Sequence, residues 1–223
     1  MPPSERKKPA AENDAAVPKA VVNRLSLYLR ELQHLVAAGS ATTSSGQLGQ
    51  KLGFTDAQVR KDLAYFGQFG YPGVGYRCDE LIEAIRGILG TNRHWPMAIV
   101  GIGNLGRALL GYKGFSHQGF RIVAGFDADA SKIGTSIEGV EIFDIAELTN
   151  VVQQRQIKLG VIAVPAAAAQ QVADQLVAAK VLGIVNFAPV TITLPEHVSH
   201  VGVDLAIEME QIAFAVVNRL SGG

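Results

Sequence analysis

The sequence predicts an α/β protein in which a small helical domain precedes a parallel sheet covered by helices. Three observations support this fold class. Apolar residues recur at helical spacing in the N-terminal part, strand-like and helix-like segments alternate in the rest, and a glycine-rich turn joins one strand to a helix. At 223 residues and 48% hydrophobic content, the chain is long enough for two cores. We divide it into a disordered tail at 1–17, a helical domain at 18–90, a sheet domain at 91–203 and a C-terminal helix at 204–223.

Composition narrows the broad class of the protein. Lys and Arg together number 20, as do Asp and Glu, so the whole-chain charge implies no preference for nucleic acid or for acidic partners. Residues 18–77 hold seven basic and three acidic side chains, which makes this part mildly basic. The single cysteine, Cys78, rules out an internal disulfide and fits a reducing compartment. No leader and no apolar run of about 18 residues is visible, so we expect a soluble cytoplasmic protein without a membrane span.

The N-terminal domain begins with one long helix and continues with two short ones. Helical spacing of apolar residues starts at Pro18, a favourable first helical residue, and the helix ends at Gly39. Two capping-box pairs, each a hydroxyl residue followed three residues later by glutamine, open the short helices. We place these helices at 45–52 after Ser44 and at 56–66 after Thr55, and a fourth, connecting helix at 79–90.

The helix at 56–66 has an apolar face and a polar face. Val59, Leu63 and Phe66 are expected to point into the core. A tightly joined helix pair after a longer helix is the outline of a helix-turn-helix domain, and the glycine-punctuated stretch 70–76 predicts a hairpin, or wing. The polar face is either solvated surface or a DNA-reading surface. The candidate DNA contacts are Ser45, Gln58, Arg60, Lys61, Tyr65, Gly73, Gly75 and Tyr76.

A strand ending at Val100 meets the motif Gly101-Ile-Gly-Asn-Leu-Gly106 and then a helix. In such a motif the glycines permit a tight turn, a close approach of backbone N–H groups to a pyrophosphate, and close packing of helix on strand. A second strand ends in Asp127 about 20 residues further on, where a carboxylate binds the ribose hydroxyls of a dinucleotide. The next residue is Ala128 and not Arg, which favours NAD over NADP.

The rest of the chain continues the alternation and predicts a doubly wound parallel sheet. We expect strands at 139–143, 159–165 and 183–188 and helices from 144 and over 167–179. Val164 and Pro165 fall at the carboxyl end of a strand, where a dinucleotide crosses the sheet, although plain strand termini are an equal alternative. The segment after Asp204 is apolar on nearly every helical face, so we expect it to pack into a second copy of the chain.

Five motifs occur in order along the chain: Val59–Gly67, Gly73–Tyr76, Gly101–Gly106, Asn186–Pro189 and Val203–Leu205. Together they closely resemble the Rex family of redox-sensing transcriptional repressors, and the resemblance covers residues 18–217. It implies a homodimer whose C-terminal helices are exchanged, with N-terminal winged helices that bind an inverted-repeat operator. It further implies Rossmann domains that sense NADH against NAD⁺, so that the operator is bound when NADH is low and released when NADH binds. No enzyme activity and no metal are implied.

The resemblance also assigns residues. Arg24, Tyr112 and Asp204 match switch residues of the family, in which the aspartate pairs with the arginine of the partner subunit in the DNA-binding state and with the tyrosine in the NADH-bound state. One relative has phenylalanine where this chain has Leu205, so this chain lacks the aromatic side chain that would contact the nicotinamide from that position. The candidate cofactor contacts are Gly101, Gly103, Asn104, Leu105, Gly106, Tyr112, Asp127, Lys132, Val164, Pro165, Phe187 and Leu205.

Two other functions start from the same glycine motif. An NAD-dependent oxidoreductase with an N-terminal interaction domain would need a substrate domain, and no residues remain for one. No tyrosine is followed four residues later by a lysine, and the five histidines form no recognisable acid–base or metal set. A CoA-binding domain of similar topology would leave Asp127 without a purpose.

Overall fold

The computed structural model describes residues 17–221, and the chain divides into two compact units between Arg93 and His94. The tail predicted at 1–17 lies outside the described residues except for Val17. The N-terminal unit contains α1 (Lys19–Ala37), β1 (Thr42–Thr43), α2 (Ser45–Leu52), α3 (Asp56–Ala64), β2 (Tyr76–Arg77) and α4 (Cys78–Leu89).

The helices of this unit follow the predicted periodicity. α1 begins directly after Pro18, and its buried stripe packs against α4, α2 and α3. In α2 both capping-box bonds are present, from the Gln47 backbone N–H to the Ser44 hydroxyl and from the Ser44 backbone N–H to the Gln47 side chain. Thr55 caps α3 in the same way, but the Gln58 side chain binds Asp62 instead of returning to the cap. The box predicted there is therefore only half formed.

The predicted ends of α3 and of the hairpin need correction. α3 stops at Ala64 and not at residue 66, because the Phe66 N–H bonds to the Leu63 carbonyl in a tighter turn. The stretch 70–76 closes through one bridge, between Tyr71 and Gly75, and β2 then pairs antiparallel with β1. The partner strand of the wing thus lies before α2, where the sequence analysis placed no strand.

The C-terminal unit is built on a seven-stranded sheet of order β5-β6-β4-β3-β7-β8-β9 in the described residues. Its strands are β3 (Trp95–Val100), β4 (Phe120–Asp127), β5 (Ser136–Ile137), β6 (Val140–Asp144), β7 (Leu159–Ile162), β8 (Gly183–Asn186) and β9 (Ser199–Gly202). Its helices are α5 (Asn104–Leu110), α6 (Gly114–His117), α7 (Leu148–Gln154), α8 (Ala166–Ala178) and α9 (Leu205–Ser221). All the pairs are parallel except β5 with β6, so the predicted doubly wound parallel sheet is confirmed.

The order of the strands reverses at β3. From β3 the chain winds outward through β4 and β6 on one side and through β7, β8 and β9 on the other. The carboxyl ends of β3 and β7 therefore border a topological switch point, where open α/β sheets bind their ligands. The antiparallel hairpin β5–β6 was missed because its first strand has two residues; Glu138 and Gly139, with φ of 51° and 76°, make its tight turn.

The two faces of the sheet are covered unequally. Alternate residues of β3 face a large cluster built with α7 and α8, and the others face a smaller cluster beside the short helices α5 and α6. α9 adds nothing to either core, because none of its residues is buried in the single chain. Phe214 and Leu220 are 71% and 79% exposed, which fits the predicted helix that its own sheet leaves uncovered.

Candidate functional site

A cavity of about 500 Å³ lies at the switch point of the sheet. Its lining comes from the turn after β3, the end of β4, the turn after β7 and one side of α8. Gly103, the N-cap residue of α5, is part of this lining, and the N-terminus of a helix favours an anion. The cavity brings together six of the predicted cofactor contacts: Gly101, Gly103, Asp127, Lys132, Val164 and Pro165.

Each glycine of the turn has a different steric role. Gly101 adopts a φ of +98°, and a Cβ built on it would lie 2.5 Å from the carbonyl oxygen of Ala163, the residue after β7. A Cβ on Gly106 would overlap the carbonyl oxygen of Gly101, so this glycine lets α5 pack on the turn. A Cβ on Gly103 would meet nothing within 4 Å. The protein itself therefore leaves the space in front of Gly103 open, where a pyrophosphate would approach the backbone.

Asp127 is held in place by three hydrogen bonds. Its Oδ2 accepts from the Ile102 N–H at 2.7 Å and from the Lys132 ammonium at 2.9 Å, and its Oδ1 accepts from the Asp129 N–H at 2.9 Å. Burial raises the pKa of this carboxyl, but the bonds from Asp129, Lys132 and Ile102 outweigh it and the pKa is lowered. The carboxylate is therefore charged and held in one orientation in the lining of the cavity, with an ammonium beside it.

Other predicted cofactor contacts are not among the residues that line this cavity. Asn104 and Leu105 form the first turn of α5, and Leu105 is partly exposed. Leu205, at the start of α9, is 73% exposed. Sequence reasoning missed Gln171 and Gln175, which line the cavity from α8. Their spacing of four residues on one helix was the available signal, but α8 had been assigned only to covering the sheet.

Tyr112 and Phe187 line a second, apolar groove of about 460 Å³ on the thinly covered face of the sheet. Its floor is formed by β3, β7, β8 and β9, with Met97, Val161 and Val185 among the residues that line it. Tyr112 is 59% exposed and stands edge-on to Phe115, with 5.0 Å between ring centroids. We call this surface the sheet groove.

The predicted switch residues have local partners in the single chain. Arg24 binds Asp62 of α3 through two hydrogen bonds, from Nε at 2.6 Å and from Nη2 at 2.8 Å. Asp204 precedes α9, and its Oδ1 accepts from the Ala206 N–H at 2.9 Å. It lines a cavity distinct from the sheet groove that Tyr112 lines.

The predicted DNA contacts divide into exposed and engaged side chains. Lys61 is exposed on α3, and Tyr65 is exposed directly after the end of this helix. Arg60 is exposed as well, and its Nη1 donates to Asp56 at 2.7 Å and to the Ser45 hydroxyl at 3.1 Å, which brings two candidates together. Gln58 is half-buried and donates from Nε2 to Asp62 at 2.7 Å. α2 and α3 thus present both free and pre-bonded polar groups.

The wing candidates are corrected in one respect. Gly73 and Gly75 lie in the bridged turn, with φ of +75° and +88°. Tyr76 is only 8% exposed, because its ring packs in the core of the N-terminal unit, and burial raises the pKa of its hydroxyl. Its side chain is therefore a core residue and not a surface available to DNA.

Residues 17–221 lack two kinds of feature. No group of three or more His, Cys, Asp or Glu side chains is arranged to hold a metal ion. No helix in this part of the chain combines the length and the hydropathy that crossing a bilayer requires.

This chain is similar to known proteins over most of its length. Residues 16–64 match the family model described as "Putative DNA-binding protein N-terminus", and residues 92–190 match the one described as "CoA binding domain". The chain is 48% identical over 200 residues to the redox-sensing transcriptional repressor Rex of Carboxydothermus hydrogenoformans, a match that covers 90% of this chain and 96% of that protein. It is 45% identical over 205 residues to the protein of the same name from Pelotomaculum thermopropionicum, with 92% and 96% covered.

Two solved structures are also similar to this chain over most of its length. The crystal structure of RSP in complex with beta-NAD+ and operator DNA matches with a TM-score of 0.87 and 32% identity, over 94% of this chain and 99% of that one. The crystal structure of RSP in complex with beta-NADH matches with a TM-score of 0.84 and 31% identity, over 92% and 97% of the two chains.

Proposed function

This chain belongs to the Rex family of redox-sensing transcriptional repressors, and from that premise we propose that it binds operator DNA and that NADH releases it. The observation that carries the proposal is the presence, in one chain, of a capped helix pair for DNA and a dinucleotide cavity at a sheet switch point. The relatives are named repressors, and the similar RSP structures hold NAD⁺ with operator DNA or NADH. The protein acts as a regulator and not as an enzyme, in the cytoplasm, where its operator is.

The cavity supports NAD(H) as the effector. The open space before Gly103 fits a pyrophosphate, and the pre-oriented carboxylate of Asp127 fits two ribose hydroxyls. Lys132 neutralises part of that carboxylate, so discrimination against the 2′-phosphate of NADPH has to be measured. CoA belongs in the same measurement, because the matched family model is described as a CoA binding domain.

The repressor acts as a homodimer in which α9 of one subunit covers the other. Two surfaces support this proposal: α9 is exposed along its whole length, and the sheet groove offers an apolar surface that the short helices α5 and α6 leave open. A twofold dimer matches an inverted-repeat operator, with each α3 in a successive major groove.

The switch is a carboxylate with two partners. We propose that Asp204 pairs with Arg24 of the partner subunit when DNA is bound and with Tyr112 when NADH is bound. Arg24 already uses Nε and Nη2 on Asp62, so Asp204 would bind at Nη1. For a full swing from bound to released, NADH must favour the closed dimer over the open one by on the order of 10⁴-fold.

The test is fluorescence anisotropy of the full chain on a duplex selected from random DNA. Salt is held constant because phosphate contacts make affinity depend on ionic strength. NADH, NAD⁺, NADPH and CoA are titrated separately, and release by NADH at concentrations where the other three do little supports the proposal. Tight DNA binding that ignores all four would reassign the effector. If the protein binds no DNA specifically and consumes NADH steadily with an added substrate, the oxidoreductase function replaces the one proposed.

A further inference from the structure

A buried carboxylate lies at the centre of the N-terminal unit. Asp62, on α3, is 0% exposed and accepts four hydrogen bonds. Two come from Arg24, one comes from the Tyr28 hydroxyl at 2.7 Å, and one comes from Gln58 Nε2 at 2.7 Å. We call these four residues the Asp62 cluster. It ties α1 to α3 through side chains 38 and 34 positions apart, and it includes one predicted DNA contact.

The charge state of Asp62 follows from its partners. Burial alone would raise the pKa of the carboxyl, but the hydrogen bonds from Arg24, Tyr28 and Gln58 outweigh burial and lower it. Asp62 is therefore ionised at neutral pH, and an ionised carboxylate only accepts hydrogen bonds. The two ends of a glutamine amide have similar shapes, but only the nitrogen end can face such a group. Gln58 is thus fixed with Nε2 toward Asp62 and Oε1 away from the cluster.

This fixed amide determines what Gln58 can read. Gln58 is the third residue of α3 and therefore lies near its N-terminal end. In a recognition helix, the N-terminal residues are the ones that contact base edges. In the major groove, adenine and cytosine present exocyclic amino donors, whereas guanine and thymine present acceptors at the equivalent positions. An outward carbonyl oxygen selects the first pair of bases. An amide free to turn would accept either pair.

We infer that Asp62 is a positioning residue for DNA sequence recognition, which orients Gln58 to accept a hydrogen bond from the amino group of an adenine or a cytosine. The inference rests on the proposed DNA-binding function and adds to it the chemistry of one base contact.

The first experiment uses the full-length protein and its selected operator. Adenines and cytosines are replaced one at a time by purine and 2-pyrimidinone, which lack the amino group, and binding is measured by anisotropy at fixed salt. At one position of each half-site, the wild type should bind roughly 5- to 150-fold more weakly after the replacement. The variant Gln58→Ala should show no such loss at that position. The base found there, adenine or cytosine, is the one that Gln58 contacts.

Variants of the cluster test the role of Asp62. Asp62→Asn can donate as well as accept, so Gln58 can turn and the discrimination should fall to that of Gln58→Ala, with no further loss in the double variant. Tyr28→Phe is the matched control: it removes one bond to the same carboxylate, leaves Gln58 fixed, and should keep the discrimination while it lowers thermal stability. A second measurement uses only the wild-type protein, so it does not depend on whether an Asp62 variant folds. Hydrogen exchange of the Gln58 side-chain amide should be slowed in the wild type.

The outcomes separate this inference from the proposed function. Three results would overturn the inference and leave the proposed repressor function standing. They are specific DNA binding that depends on no adenine or cytosine amino group, full discrimination in Asp62→Asn, and a Gln58 amide that exchanges as fast as free glutamine. Absence of any selected operator overturns both.

Discussion

Two single-methyl substitutions in the glycine turn should have opposite consequences. In Gly103→Ala the new methyl meets nothing within 4 Å, and the backbone at φ −81° and ψ −161° suits an L residue. Alanine makes the unfolded chain less flexible than glycine does, which stabilises the folded protein by about 0.4–1 kcal/mol. Alanine is also a poorer N-cap than glycine, which destabilises it by a similar amount. The free protein should therefore melt within about 4 °C of the wild type. Under the proposed function the methyl would stand where the pyrophosphate approaches, and losing one charged hydrogen bond of about 1.5–3 kcal/mol should weaken NADH binding roughly 10- to 150-fold.

Gly106→Ala is the matched comparison. Its methyl would overlap the Gly101 carbonyl oxygen, which is backbone and cannot rotate away, so α5 must move off the turn. Overpacking of this kind costs about 1–3 kcal/mol or more, which lowers the Tm of the C-terminal unit by roughly 5–15 °C. Thermal unfolding followed by circular dichroism and calorimetric titration with NADH measure both quantities. Wild-type NADH affinity in Gly103→Ala would show that the pyrophosphate lies elsewhere, and a wild-type Tm in Gly106→Ala would refute the steric argument.

Three further predictions concern other parts of the molecule. Asp127→Ala should weaken NADH binding and also destabilise the C-terminal unit, because the Ile102 N–H and Lys132 lose their acceptor; unchanged affinity by titration would remove Asp127 from the ribose site. Phe214→Glu on exposed α9 should convert a dimer into monomers in sedimentation runs, whereas a variant that remains dimeric contradicts the exchange. The folded pKa of Asp62 is lowered, so its stabilisation is complete above the unfolded value of about 3.9 and is lost as pH falls through the folded pKa. The protection of α1 and α3 amides against hydrogen exchange, relative to the intrinsic rate at each pH, should accordingly fall below about pH 4, and equal protection factors at pH 3 and pH 6 would contradict it.

Local signals in the sequence were sufficient to predict the glycine turn and the strand end at Asp127 that line one cavity. Gly101, Gly106 and Asp127 each carry a steric or electrostatic requirement that leaves few other residue types possible, and the order of strands and helices around them follows from alternation. The capped pair α2–α3 was equally accessible, because the Ser44 box needs only neighbours within three residues.

Long-range contacts account for what could not be predicted. Asp62 stands between Lys61 and Leu63 and resembles a solvated charge, and the partners on α1 that make its burial possible, Arg24 and Tyr28, lie 38 and 34 positions away. The pairing of β1 with β2 joins strands of two residues across more than 30 positions, which is too short for a periodic pattern. Tyr76 was assigned to the DNA surface for the same reason, because its burial depends on this pairing and on the neighbouring core.

The bare surface of α9 has a genetic consequence. If two chains must meet to cover it, the amount of active repressor at low expression grows with the square of chain concentration, so repression should respond steeply to gene dosage. A chain with an intact α9 and a damaged α3 would still capture wild-type partners into dimers that hold only one operator half-site. Such alleles should be dominant over the wild type, whereas a truncation before Leu205 should be recessive.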